Sequence, residues 1–293
     1  MTLAYATFDE LKDALGDALG TGTTSYDVPM RVLAERASRA IDRLTGRQFW
    51  PETLTRYLDG SGEAAQWIPE SLALTTVSMS NDDGANYTAL AATDYIAYGG
   101  ALLEYNRTPY LQLKMYINGT YTYWYTGQRS IRLAGLWGWH DDYGNAWEDS
   151  QDTTEDNPLT AGATTITVND ADGADLTGLT PRFQVGQMLR IESEYIFVTV
   201  VTAGSTNTLT VVRAYNGSTA AQHAQNTVIY IYRPPTIIKQ ATIIQSLRWF
   251  KRGQQSFADV SAMGELGQLT YAQKIDPDII AMLYDAGLRR AVV

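Results

Sequence analysis

The chain has 293 residues, 45% of them hydrophobic and 18% charged, which suits one large globular domain or two to three small ones. It has no cysteine, which excludes disulfide frameworks, thiolate nucleophiles and cysteine-based zinc or iron–sulfur sites. The net charge of −10 disfavours sequence-specific DNA binding, which uses a basic face, but is compatible with a conduit that DNA passes without adhering.

Two helices are predicted near the start of the chain. Thr7 and Glu10 have the spacing of a capping box, and leucines follow at helical spacing as far as residue 19. The second helix is predicted to begin after Asp27 and to stop at Gly46. Its polar face is rich in arginine, which favours a solvated face; a binding surface is the alternative.

From Leu54 to Trp139 the hydrophobic period changes to two, which predicts antiparallel strands. "TLTRYLDGSGEAAQWIPE" predicts two strands around a Gly-rich turn. "DYIAYGGALLEY" and "YLQLKMYINGTYTYWYTG" predict hairpins, the second with a type I′ turn at Asn118-Gly119. A further strand is predicted in "RSIRLAGLWGW".

The remaining chain predicts a nested organisation. Residues 141–158 hold seven acidic residues and no Lys or Arg, which is typical of a linker. Residues 159–232 predict an independent small β-barrel or sandwich. A helix is then predicted between Pro235 and Arg252, and a last one with Asp276 as N-cap and Pro277 as its first residue.

The predicted fold class is therefore α+β. Helices from both chain ends pack together and are interrupted by an antiparallel β section that carries an inserted small β-barrel or sandwich. The predicted parts are a helical core of residues 1–53 and 233–293, a β section of residues 54–140, an acidic linker of residues 141–158 and the inserted β domain of residues 159–232.

The stretch "GLWGWHDDYGNAWED" is the first candidate for chemistry, because His140 precedes two aspartates. These residues could bind a hard cation with Glu148 and Asp149, but their spacing matches neither an EF-hand loop nor a zinc-binding helix. A solvated acidic loop is the favoured interpretation. With no phosphate-binding loop, nucleophile elbow or His-Glu-x-x-His motif, the sequence predicts no catalytic residue, metal or cofactor. A glycosidase carboxylate pair is a weaker alternative.

Aromatic residues form the second candidate site. We interpret them as cross-strand packing and subunit contacts, and a sugar-stacking face is the alternative. The residues chosen for packing or subunit contact are Trp137, Trp139, Tyr121, Tyr123 and Trp124.

Four features, in this order along the chain, resemble the head–tail connector (adaptor, or head-completion) proteins of long-tailed bacteriophages. They are "MRVLAERASRAIDRLTGRQFWPET" before "YLDGSG", "IPESLALTTVSMSND" leading to "YTALAATDYIAY", the strand end "IRLAGLWGW", and the C-terminal part from "IIQSLRWFKRG" to "IIAMLYDAGLRR". The resemblance covers roughly residues 28–140 and 233–293. Residues 159–232 depart from it and look like a small β module that recurs in phage structural proteins.

The resemblance implies a structural virion protein with no enzymatic activity. Such proteins form a ring, usually twelve-fold, beneath the portal, extend the DNA channel and offer a surface to the next tail or stopper protein. It implies assembly in the host bacterial cytoplasm, a final place at the head–tail junction of the virion, no membrane, and DNA passing without sequence-specific contacts. A carbohydrate- or host-surface-binding β module of a phage particle is the alternative.

Basic residues near the C-terminus stand out in this acidic chain, and we predict that they dock on the portal. A solvated helix end is the alternative. The five residues are Arg248, Lys251, Arg252, Arg289 and Arg290.

Overall fold

The computed structural model describes residues 3–16, 26–254, 260–262, 269–271 and 275–288. The described helices are α1 (Phe8–Leu15), α2 (Asp27–Thr45), α3 (Thr236–Gln254) and α4 (Pro277–Asp285). The described strands are β1 (Glu52–Gly60), β2 (Ala65–Met79), β3 (Thr88–Ala89), β4 (Tyr95–Gly99), β5 (Glu104–Tyr105), β6 (Tyr110–Met115), β7 (Gly127–Trp137), β8 (Trp147–Thr153), β9 (Thr165–Thr167), β10 (Met188–Ile191), β11 (Glu194–Thr202), β12 (Thr208–Val212), β13 (Val228–Tyr232), β14 (Val260–Ala262) and β15 (Leu269–Tyr271). Helices combined with antiparallel sheets confirm the α+β class.

Three helix ends form where the local signals predict them, whereas α1 ends at Leu15, with Gly16 as its C-cap, and not at residue 19. The Thr7 hydroxyl accepts the N–H of Glu10, whose carboxylate accepts the N–H of Thr7, so the capping box is complete. At the end of α2, Gly46 adopts the left-handed conformation, with φ 64°, and its N–H donates to the Asp42 carbonyl. Asp276 caps α4 by accepting the N–H of Asp278.

The first sheet has the strand order β1-β7-β2-β6-β4-β5, with β3 paired to the end of β2. Because side chains alternate along each strand, one face collects the buried residues and the other stays outside. The buried face holds Ile131 and Leu133 of β7, Val77 of β2 and Leu113 of β6. Strands β4 and β5 pair Tyr98 with Tyr105, as the predicted hairpin requires.

The second predicted hairpin is wrong beyond Met115. Only its first half is a strand, β6, and the chain then loops from residue 116 to residue 126. Asn118 and Gly119 lack the positive φ that a type I′ turn requires. The Asp94 carboxylate instead accepts the N–H of Thr120, and the buried Trp124 donates its backbone N–H to the Glu63 carbonyl. These tertiary contacts override the local turn signal.

The second sheet has the order β8-β13-β10-β11-β12-β9, and both of its faces are covered. On one face of the sheet, alternate residues such as Leu189, Ile196 and Ile231 form a hydrophobic core within the sheet's own strands and loops. Their neighbours Met188 and Phe197 face the other way and join a cluster with helices α2, α3 and α4. The prediction of an independent β domain therefore differs from the structure, in which one face of this sheet packs on the helices.

The predicted linker of residues 141–158 is also wrong, because it contains β8, which pairs with β13 at an edge of the second sheet. Its acidic residues are held by partners. Glu148 pairs with Arg233 at 2.7 Å, and Asp152 pairs with Arg182 at 3.0 Å and accepts the N–H groups of residues 153, 169 and 170. Ion pairs and backbone donors offset the cost of burying these carboxylates, which composition alone cannot reveal.

Contacts among the helices join segments far apart in the chain. Phe8 and Leu11 of α1 pack with Met30 and Ala34 of α2 and with Phe250 of α3. Lys239 of α3 also pairs with Glu10 of α1 at 2.7 Å.

Candidate interaction surface

His140 lies at a structural junction. It is buried, its Nδ1 accepts the N–H of Asp142 at 2.9 Å, and its Nε2 lies 3.0 Å from the Arg233 carbonyl. This pattern fixes the neutral tautomer with the proton on Nε2. Burial lowers the pKa of His140, and this effect outweighs the hydrogen bond to the Arg233 carbonyl. Among the described residues no cluster of His, Asp and Glu side chains has metal-binding geometry.

The basic residues predicted to dock on the portal have different environments. Arg248 forms an ion pair with Asp276, the N-cap of α4, and so joins α3 to α4. Lys251 is exposed and Arg252 is half-buried. Arg289 and Arg290 lie outside the described residues. The structure thus gives Arg248 a role within the chain.

Of the predicted packing aromatics, Trp137 and Trp124 are fully buried in the first sheet's core. The Trp137 indole N–H donates to the Leu54 carbonyl at 2.8 Å. Trp139 packs edge-on against Phe49, with ring centroids 5.6 Å apart. Tyr121 and Tyr123 each stand edge-on to Tyr125, and Tyr123 is 54% exposed.

An aromatic row on the outer face of the first sheet was not predicted from the sequence. Register pairs place Trp67, Gln112, Tyr98 and Tyr105 side by side across β2, β6, β4 and β5. Trp67 is 60% exposed and Tyr105 is 72% exposed. The sequence pattern could have predicted the outward position of Trp67. Trp67 lies between two buried residues, Gln66 and Ile68, and side chains alternate between the two faces of a strand.

The edge of the first sheet at β1 carries a second group of exposed side chains. Tyr57 of β1 packs beside Tyr87, with ring centroids 6.0 Å apart and the ring planes tilted by 55°. The Arg129 guanidinium lies 4.7 Å from the Tyr57 ring centroid, and that of Arg132 lies 4.6 Å from the Tyr87 centroid. The result is an arginine–tyrosine cluster in the order Arg129, Tyr57, Tyr87, Arg132 beside a strand edge that pairs with no other described strand.

Arg56 lies on the opposite face of the same edge, 4.8 Å from the Trp137 ring centroid. It faces a cleft of about 450 Å³ between the end of α2 and the first sheet. Two other arginines of this cleft are paired, Arg39 with Asp42 at 2.8 Å and Arg47 with Glu70 at 2.6 Å. Arg56 has no hydrogen-bond or ion-pair partner among the described residues.

The second sheet contains a largely buried ionic network. Glu194 is fully buried, and its Oε1 lies 2.6 Å from Nε of Arg213. Its second carboxylate oxygen, Oε2, lies 2.9 Å from Nε2 of His223. Burial alone would raise the pKa of Glu194, but hydrogen bonds from Arg213, Ala221, His223 and Ala214 lower it to about 2. His223 also contacts Glu192 at 2.8 Å. These contacts satisfy the network and indicate a structural role.

In the described part of the chain, none of the helices is both long and apolar enough to cross a bilayer. No family model, curated protein or solved structure matched the chain.

Proposed function

We propose that the chain is a structural subunit of a bacteriophage head–tail connector. In this proposal it forms a ring between the portal and the tail, extends the DNA channel and completes the head. The two segments that carry the resemblance are adjacent in space, since Met30 and Ala34 of α2 pack with Phe250 of α3, and this single observation supports the proposal most. Its subunits would act by assembly, without catalysis, metal or cofactor.

The finer architecture belongs to the same proposal. The helices of both chain ends form the connector core, and the first sheet is its β section. The second sheet is the insertion, as a small barrel. An antiparallel bridge between Thr154 and Val168 supports a barrel, because it joins the chain beyond β8 to the chain beyond β9, the two edge strands.

Electron microscopy of the chain mixed with the portal protein of the same phage tests this proposal. We expect a closed ring seated on the portal axis, with the stoichiometry of the portal-bound ring read from class averages. Particles that show bare portals at saturating chain concentration would contradict it.

Portal docking by the C-terminal basic residues needs a test that preserves the fold. Deleting residues 277–293 would remove Ile279 and Leu283, which are buried in the core. Charge reversal tests docking without removing buried residues. We expect portal binding to weaken by about tenfold or more in a variant that combines Lys251→Glu, Arg289→Glu and Arg290→Glu, because these residues would meet acidic portal groups. Arg43→Glu, on an exposed position of α2, is the control. Equal affinities for both variants would contradict docking by these residues.

The aromatic row at Trp67 favours a second candidate, a carbohydrate- or host-surface-binding role. Exposed aromatic faces stack on sugar rings, and Trp67 and Tyr105 offer two of them. A glycan array tests this role: Trp67→Ala should abolish any signal, and a wild-type chain without signal above background would remove the candidate.

A further inference from the structure

The Arg56 guanidinium is shielded and has no polar partner among the described residues. Its Nε is buried and donates no hydrogen bond there. The side chain leaves β1 on the same side as Leu54 and Leu58, and its guanidinium lies over the indole of Trp137. A ring face does not satisfy the N–H groups of a guanidinium, and a shielded charged donor without an acceptor is costly. Arg56 therefore offers hydrogen-bond donors to a ligand.

The cleft that Arg56 lines has the size of a small-molecule site. Its volume is about 450 Å³, and pockets for small organic ligands span about 300–1,000 Å³. Ile68 and Pro69 of β2 and Leu111 of β6 give it an apolar surface. A ligand of this cleft thus meets one guanidinium and a hydrocarbon wall.

The charged side chains that line the cleft leave one positive charge unpaired. Arg39 pairs with Asp42 at 2.8 Å, and Arg47 pairs with Glu70 at 2.6 Å. Arg56 is the third guanidinium of the lining, and among the described residues no carboxylate lies within ion-pair distance of it. The cleft therefore carries a formal charge of one, located on Arg56.

Other acceptors near the cleft are bonded elsewhere. At the end of α2 the Asp42 carbonyl accepts the N–H of Gly46. The Glu52 carboxylate, which precedes Arg56 on β1, accepts a hydrogen bond from Nε2 of Gln48 at 3.5 Å. An acceptor for Arg56 is therefore expected from a molecule other than the described chain.

The chemistry of the cleft favours a carboxylate over a phosphate. A guanidinium binds a planar carboxylate through two parallel N–H···O bonds, and contact with an aromatic ring fixes the plane of the guanidinium. The single unpaired charge matches a carboxylate, whereas a phosphate group carries a charge of about −1.5 to −2 at neutral pH. The apolar wall suits a hydrocarbon body and disfavours a second charge.

We propose that this cleft binds a small aliphatic monocarboxylate. Its two oxygens accept hydrogen bonds from the Arg56 guanidinium, and its hydrocarbon part covers Ile68, Pro69 and Leu111. This binding site is independent of the proposed function, because it belongs to the single chain and is measured without portal.

Titration of hexanoate into the purified chain, followed by ligand-observed NMR, tests the site. We expect a dissociation constant of about 1 mM or lower, in the range of a small ligand held by one ion pair. Arg56→Gln keeps a polar side chain but removes the charge and the paired donors, so it should weaken hexanoate binding by about tenfold or more. Arg43→Gln, at an exposed position of α2, is the matched control and should bind hexanoate like the wild-type chain.

Two further probes act on the wild-type chain and so do not depend on how a variant folds. Hexanol has the same hydrocarbon body without the charge, and it should bind at least about tenfold more weakly than hexanoate. Inorganic phosphate has the charge without the hydrocarbon body, and it should also bind more weakly.

Each contrary outcome overturns a stated part of the proposal. Equal hexanoate affinities of the wild-type and Arg56→Gln chains would remove Arg56 as the binding group. Hexanol or phosphate that binds as tightly as hexanoate would remove the preference for an aliphatic carboxylate. A wild-type chain that binds no hexanoate, together with an Arg56→Gln chain that no longer assembles with portal, would assign Arg56 to a subunit contact and overturn the proposed ligand site. Failure of the wild-type chain to assemble would contradict only the proposed function.

Discussion

Trp137 and Trp67 are tryptophans of the same sheet in opposite environments. Trp137 is 1% exposed and its indole N–H is bonded to Leu54, whereas Trp67 is 60% exposed. Trp137→Ala should lower the free energy of unfolding by about 3–5 kcal/mol, because it leaves a large cavity and an unpaired carbonyl. Trp67→Ala, the control, should cost less than about 1 kcal/mol. Denaturant unfolding of both variants measures the difference, and equal midpoints would contradict the assigned burial.

His140→Ala should leave assembly and metal content unchanged. The imidazole bonds the Asp142 N–H and the Arg233 carbonyl, so its loss should reduce stability by about 1–3 kcal/mol without removing a ligand. Elemental analysis by mass spectrometry checks the metal content of both proteins. Stoichiometric metal that disappears in the variant would overturn the structural role of His140.

At the scale of elements, the second sheet encloses one fully buried carboxylate, that of Glu194. The pKa of Glu194 falls from 4.5 to about 2 on folding, so folding favours its ionised form. The corresponding stability is present above pH 4.5 and is lost as the pH falls toward 2, a change of about 3 kcal/mol. Unfolding measured between about pH 6 and pH 2 should show this loss.

Glu194→Gln should remove that part of the pH dependence and cost about 3–5 kcal/mol at neutral pH, because Arg213 then keeps its charge without a carboxylate. Glu192→Gln is the matched control, since the Glu192 side chain is 61% exposed. If the two variants had the same stability, the buried pair would not hold the second sheet together.

The sequence predicted correctly those helix ends that depend only on neighbouring residues. The capping box at Thr7, the Gly46 stop and the Asp276 cap each depend on residues within one turn, and each is present. The strand β8 and the loop after Met115 could not be predicted this way. Their residues are placed by distant partners, Arg182 and Arg233 for β8 and Asp94 for the loop.

The candidate surface was predictable only in part. Alternation within β2 identifies Trp67 as an outer residue, and "RSIRLAGLWGW" identifies Trp137 as a core residue. The β1 edge was not predictable, because its exposure follows from β7 lying between β1 and β2 in the sheet. The arginine–tyrosine cluster likewise joins Tyr57, Tyr87 and Arg129 from three separate segments.

At the scale of the whole molecule, one core cluster joins the helices to a face of the second sheet, and Leu136 of β7 in the first sheet packs against it. Phe49 and Trp50, between α2 and β1, meet Tyr232 at the end of β13 and Ile238 of α3 in a single core cluster. The second sheet is therefore packed directly on the helices, which agrees with the proposal of a subunit that repeats one geometry around a ring.

The mass of the assembled particle tests the connector proposal most directly. The purified chain is measured alone and after mixing with the portal protein of the same phage, by mass spectrometry under native conditions. We expect the mixture to contain a complex of portal with a closed ring of copies of this 32.4 kDa chain, twelve by resemblance. A chain that remains monomeric in both samples, with the portal mass unchanged, would contradict the proposal.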